Sequence, residues 1–223
     1  MAYQAAVPER APDLRLSRRN MLRDQIQARG IDDVQVLEAM GSVKRHLFVE
    51  EALQAQSYSD HALPIGYGQT ISQPYSVALM SSCLLLQPGM KVLEVGAGSG
   101  YQAAVLAEMG ALVYGVECIK PLYQTALQRL TSLRYFQVKL RWADGSTGWP
   151  EEAPFDRILV SAGGPRVPRV LLQQLAEDGL LLMPVGRGRQ EQDLIRVRRQ
   201  GKQYFKQELG RAKFVELVGE QGW

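Results

Sequence analysis

Histidine and cysteine are scarce in this chain, two of each in 223 residues. Cys83 and Cys118 have no metal-ligand spacing, and His46 and His61 do not cluster with them, so no metal site is expected. Two free cysteines in otherwise apolar segments suit a reducing cytosol. No apolar run reaches membrane-spanning length, and Met1–Asp13 lacks the apolar core of a signal peptide, so the expected location is cytoplasmic and away from membranes. An excess of either charge is missing too. Twenty-six Lys and Arg against 23 Asp and Glu leave a net +3, too little to argue for a nucleic-acid partner. Two nucleotide motifs are absent. Tyr101 stands where the dinucleotide fingerprint G-x-G-x-x-G needs its third glycine, and no Gly-Lys-Ser/Thr of a phosphate loop follows Gly100.

What is present is an α/β pattern. Length, a hydrophobic fraction of 46% and a charged fraction of 22% fit one globular domain with a modest addition. The stretch Lys91–Leu106 reads as a short buried strand, a loop with Gly96, Gly98 and Gly100, and a helix opened by Tyr101. Glycines there let the backbone turn tightly and approach a ligand, with loop amides and a helix N-terminus facing it. Glu94-x-Gly96-x-Gly98-x-Gly100 after a hydrophobic strand resembles the glycine motif of S-adenosylmethionine-dependent methyltransferases, and its spacing disfavours a hydride-transferring dehydrogenase.

Along the chain, residues 1–16 read as a flexible arm. Ser17 is placed to cap a helix over Arg18–Arg29 ended by Gly30, a second helix follows over Asp33–Met40, and Lys44–Gln56 suggests a short third. These form a helical cap. Ser57–Tyr75 is long, polar and without helical period, as functional loops are. Pro74 suits the first turn of the next helix, so Ser72 lies where either helix capping or catalysis could use its hydroxyl. Strands are then expected at Leu112–Glu117, Val138–Ala143, Phe155–Ser161 and Gly179–Val185, with helices at Ile119–Thr131 and Val167–Leu175. Pro184 and Gly186 should end the last of these strands. Glu117 and Asp144-Gly145 fall just past strand carboxyl ends, the edge where parallel sheets bind ligands. A carboxylate at 117 can accept from two ribose hydroxyls, and one at 144 from an adenine amino group. In the Arg- and Lys-rich tail, Ile195 and Val197 alternate with Arg196 and Arg198, and Tyr204–Leu209 with Lys213–Val218 could form an antiparallel pair.

The run Leu63-Pro64-Ile65-Gly66-Tyr67-Gly68-Gln69-Thr70-Ile71-Ser72-Gln73-Pro74-Tyr75 resembles the signature loop of protein-L-isoaspartate O-methyltransferases. The likeness continues through Leu93–Leu106, Asp144-Gly145, Ala153–Asp156, Leu175–Gly186 and Arg211–Val218, covering nearly everything from Ser17 onward. It implies a doubly wound, Rossmann-like methyltransferase fold: a mostly parallel seven-stranded sheet, an N-terminal helical cap (17–90 with the substrate loop) and an antiparallel C-terminal strand pair within 91–223. It implies methyl transfer from S-adenosylmethionine to the free α-carboxylate of isoaspartyl residues. The ester recloses to a succinimide that partly reopens as normal aspartate, so damaged proteins and peptides are the partners, and the chain is expected to act as a monomer. By the same likeness Gln69, Thr70, Ile71 and Ser72 border cofactor and substrate, with Ser72 the active-site serine. Gly96, Gly98, Ser99 and Gly100 hold the methionine part, Glu117 the ribose, and Asp144 with Gly145 the adenine.

Two departures stand out: Ala143 where the family has Gly, and Ser161-Ala162-Gly163 where it has Thr-Ala-Ala. The first should narrow the adenine pocket and the second loosen the loop after Phe155–Ser161. Other readings remain open, namely a methyltransferase with a different acceptor or a cofactor-binding homologue without turnover. Carboxylate methylation itself asks little of side chains, because the nucleophile is already ionised at neutral pH and needs no general base.

Overall fold

The computed structural model describes residues 13–187 and 191–223. In chain order the elements are α1 (Leu14–Asn20), α2 (Val34–Ser42), β1 (Leu63–Gly66), β2 (Gln69–Ile71), α3 (Pro74–Cys83), β3 (Lys91–Val95), α4 (Tyr101–Glu108) and β4 (Leu112–Glu117). They continue with α5 (Lys120–Ser132), β5 (Val138–Trp142), β6 (Phe155–Val160), α6 (Arg169–Gln173), β7 (Leu175–Gly186), β8 (Gln192–Gln200) and β9 (Gln203–Ala212). Seven strands form one sheet in the order β5-β4-β3-β6-β7-β8-β9. The first five are parallel, and β8 runs antiparallel to both its neighbours. This is the expected Rossmann-like arrangement.

The central strands β3 and β6 are buried almost throughout because both faces of the sheet are covered there. Alternation sends Val92, Leu159, Leu182 and Leu194 into one cluster, with Met21, Ile26, Met40, Phe48 and Leu106 of the cap and α4. Their neighbours Leu93, Ile158, Val160, Leu181, Met183 and Ile195 enter a second cluster with Leu171 of α6. The cap therefore shares its core with the sheet. β4 and β5 lie to one side of β3 and β6 to the other, so the chain changes direction beside β3, where a crevice opens at the carboxyl edge.

Several boundaries differ from the sequence expectation. Residues 1–12 of the expected arm lie outside the described residues. Asp13, not Ser17, caps the first helix, its Oδ1 accepting the amides of Arg15 and Leu16. α1 then passes into a π-helical segment, Met21–Ile26, and a 3-10 turn, Gln27–Arg29, before Gly30 at φ +85° ends it. The polar loop contains the β1–β2 hairpin, with Leu63 opposite Ile71 and Pro64 opposite Thr70. α6 is shorter than expected and β7 begins earlier, at Leu175. Pro184 lies inside β7, past Leu182, the last residue that β6 pairs, so its missing N–H interrupts no ladder bond there. β9 pairs with β8, and Lys213–Val218 forms no pair with Tyr204–Leu209. That segment turns back instead: the Gly163 amide donates to Val215 O and the Leu217 amide to Gly163 O, both at 2.7 Å. Buried Gln192 sets the turn by exchanging side-chain hydrogen bonds with the Phe214 backbone.

Candidate active site

Three strand ends and the hairpin build the site. Gly96 and Gly98, at φ +86° and +52°, carry the backbone over the end of β3. The left-handed φ of Gly98 favours glycine, and a Cβ there would come within 3.2 Å of Ile65 Cδ1 on the hairpin, so the Ile65 side chain would have to give by a few tenths of an ångström. From the end of β4, Glu117 accepts the Gly98 amide on Oε2 at 2.8 Å and the Ile119 amide on Oε1 at 2.9 Å. Two backbone donors thus fix the carboxylate, and the second lone pair of each oxygen stays available to ligand hydroxyls.

The resulting slot is lined by Gln69, Thr70, Ile71, Ser72, Gly96, Gly98, Ser99, Glu117 and Gly145, nine of the eleven expected binding residues. Gly100 is not among them. Its φ of +85° serves the start of α4, and its bare Cα faces Leu130 and Ala126 of α5, so it is a packing glycine. Asp144 lies in an adjoining recess with Cys118, Trp142, Ala143 and Gly219. Its Oδ1 accepts the Ser146 amide and its Oδ2 the Glu220 amide, each at 2.8 Å. Burial alone would raise its pKa, but these hydrogen bonds outweigh it and hold the carboxyl below its ordinary value. Asp144 therefore anchors the C-terminal segment 213–223, a strap across the sheet edge, as well as lining the recess.

A second cleft of about 480 Å³ adjoins the slot. It is bounded by His61, Gln73, Ser76 and Lys213, and it shares Gln69, Thr70, Ser72, Ser161 and Val215 with the slot. Pro74 begins α3 as expected, yet among the described residues no side chain caps that helix, which leaves the Ser72 hydroxyl at the junction of the two spaces.

The sequence reading passed over several lining residues. Glu94 contributes the acid of the glycine motif; it is fully buried, and neither carboxylate oxygen has a hydrogen-bond partner among the described residues. Burial, then the nearby Glu117, push its pKa well above the carboxylate range. Val215–Val218 also line the slot, brought there by the strap's pairing with Gly163. Glu94 was visible as a letter of the motif. The likeness over Arg211–Val218 marked the tail segment but gave it no place in the site, because a contact some fifty residues away in sequence puts 215–218 there.

A family profile described as Protein-L-isoaspartate(D-aspartate) O-methyltransferase (PCMT) matches residues 16–222. The chain belongs to this family. A Geotalea uraniireducens protein named protein-L-isoaspartate O-methyltransferase 2 is 53% identical over 213 residues, 95% of this chain and 97% of that relative. Among solved structures, a protein-L-isoaspartate O-methyltransferase aligns with a TM-score of 0.84 at 27% identity over 92% of this chain and 67% of its own. A Plasmodium falciparum protein-L-isoaspartate O-methyltransferase, solved in complex with S-adenosyl-L-homocysteine, aligns with a TM-score of 0.78 at 28% identity, covering 93% of this chain and 99% of that one.

Against the protein-L-isoaspartate O-methyltransferase pattern, the two departures resolve differently. Ala143 lines the recess beside Asp144. Gly163 does not loosen its loop as expected, because its amide and carbonyl are both bonded to the strap and the Trp223 indole donates to the same carbonyl at 3.1 Å. Among the described residues, no helix is long and apolar enough to cross a membrane.

Proposed function

We propose that the chain transfers the methyl group of S-adenosylmethionine to the free α-carboxylate of L-isoaspartyl residues in damaged peptides and proteins, opening their repair through succinimide. The observation that carries this reading is the direct opening of the glycine-loop slot into the Ser72 cleft, with Gln69, Thr70 and Ser72 forming the shared wall.

The residues present fit the cofactor. Glu94, buried and unpartnered within the described chain, suits a cationic group; Glu117 suits ribose hydroxyls; and the bare backbone of Gly96 and Gly98 suits close approach. When bound, S-adenosylmethionine supplies a methyl group on a sulfonium that leaves as a neutral thioether. The chain's own work is then geometric. The acceptor carboxylate is ionised at neutral pH, so no side chain needs to remove a proton. Opposite charges cancel as the methyl passes, a change that water resists, so the hairpin and strap contribute by excluding it and holding the acceptor in line. Ser72 is assigned to donate a hydrogen bond to the substrate carboxylate and aim it. Asp144 with Gly145 is assigned to the adenine side. On the same reading the chain works as a monomer in the cytoplasm, on peptides and not on nucleic acid or membranes.

The test incubates purified protein and labelled S-adenosylmethionine with matched isoaspartyl and aspartyl peptides. Base-labile label in the isoaspartyl peptide alone is expected, and none in either peptide overturns the proposal.

A further inference from the structure

One buried cation has no part in the chemistry above. Arg45 opens a 3-10 turn, Arg45–Phe48, in the cap and is wholly withdrawn from solvent. Its Nη1 has no partner among the described residues, and burial lowers its pKa. Withdrawing a charge from water costs several kcal/mol, roughly, unless hydrogen bonds and neighbours offset it. A chain that only needed to fill this space would be better served by an apolar side chain.

What the guanidinium holds explains its place. Nε donates to Ser57 O and Nη2 to Ser72 O, each at 2.7 Å. Those carbonyls bracket the segment carrying the β1–β2 hairpin, and the second belongs to the residue assigned to aim the substrate. The guanidinium also lies over the Tyr101 ring, 4.8 Å from its centroid, and Tyr101 opens α4 directly after the glycine loop. Phe48 meets the same ring edge-on at 5.4 Å. One planar fork thus ties both legs of the hairpin to the helix that carries the cofactor loop. A lysine offers a point charge and no fixed fork, so it cannot hold both carbonyls in one geometry. Arg29 makes an outer tie, pairing with Asp60 at 3.0 Å and stacking on Tyr75, but that pair is partly exposed and correspondingly weak.

We propose that Arg45 is a positioning residue for methyl transfer, which sets Ser72 relative to the cofactor loop through the Ser72 and Ser57 carbonyls. This rests on the function proposed above. Misplacing a reacting partner by about 1 Å costs on the order of 100-fold in rate, so the effect belongs in kcat.

Arg45→Lys and Arg45→Ala test it with three readouts. Amide hydrogen exchange, read without substrate, should quicken across residues 57–73 in both variants and stay unchanged in β3, β4 and β6. In isoaspartyl-peptide assays, kcat per S-adenosylhomocysteine-binding site should fall at least about tenfold, with peptide KM and cofactor Kd within about threefold. Ethylguanidinium at millimolar concentration should restore part of the Arg45→Ala rate, whereas butylamine should not. Unchanged kcat per site, or exchange that quickens evenly through the molecule, overturns the proposal. So does failure of both variants to fold and bind S-adenosylhomocysteine, which would assign Arg45 to stability alone. If wild-type protein methylates no isoaspartyl peptide, the functional reading fails, and the exchange pattern still decides whether Arg45 holds the hairpin.

Discussion

Glu94, one residue before the end of β3, and Glu117, at the end of β4, sit on adjacent strands, yet their surroundings treat them oppositely. Glu117 accepts two amides, while Glu94 accepts none among the described residues and is pushed toward its protonated form. The sign of the consequence follows from linkage. An acid with a raised folded-state pKa keeps its proton in the folded protein after the unfolded chain has released it, so stability falls as pH rises from about 4.5 through the folded value. A bound cation favours the ionised form and works the other way. Without ligand, Glu94→Gln should therefore melt higher than wild type at neutral pH, with the gap closing as pH falls toward about 4.5. It should also bind S-adenosylmethionine roughly 10- to 100-fold more weakly, the size of one charged hydrogen bond. Thermal melts across pH and calorimetric titration read both. Ser72→Ala removes one neutral donor to a carboxylate. Its kcat/KM on isoaspartyl peptide should drop about 10- to 100-fold while cofactor affinity changes little, and an unchanged kcat/KM would remove Ser72 from the chemistry. Residue types were readable from the sequence at both positions, but the isolation of Glu94 and the lack of a cap at α3 were not, since each depends on what other segments leave unpaired.

Strands buried on both faces announce themselves as apolar runs, and for that reason β3, β4 and β6 fall within a residue of where the sequence puts them. Elements fixed by distant partners were not legible. The β1–β2 hairpin hides in a stretch rich in glycine and proline, and the strap over 213–223 is held by side chains and backbone from three other regions. Among the described residues, three hydrogen bonds tie the strap's end to the sheet side of the molecule: the Glu220 amide to Asp144, the Gln221 amide to Ser146 Oγ and the Trp223 indole to Gly163 O. Removing Gly219–Trp223 deletes all three and leaves Asp144 intact. Each such bond contributes about 0.5–1.5 kcal/mol, and the Gly163 pairing still holds Val215 and Leu217, so a loss near tenfold in S-adenosylhomocysteine affinity is expected by calorimetry. Wild-type affinity in the truncated protein would show that the strap's end does not support the site.

At the scale of the molecule, the cap and the sheet share one core, since Met21, Ile26, Met40 and Phe48 enter the cluster that holds Val92, Leu159 and Leu182. The slot proposed for the cofactor lies where the hairpin, carried by the cap side, meets the sheet edge. Unfolding of either part should therefore expose the core of the other, and the chain should melt in one transition. The three tryptophans, Trp142, Trp149 and Trp223, all follow the glycine loop, so their fluorescence reports the sheet half, whereas far-ultraviolet circular dichroism also reports the cap helices. The two curves should coincide, and a fluorescence transition separated from the dichroism transition would mean that the cap melts on its own. Ligand adds a second constraint. S-adenosylhomocysteine at 100 times its Kd should stabilise the folded state by about 2.7 kcal/mol, a rise of roughly 5–10 °C for a chain of this size. Because the slot draws its walls from both halves, both probes should rise together; a shift confined to tryptophan fluorescence would place the binding energy in the sheet alone.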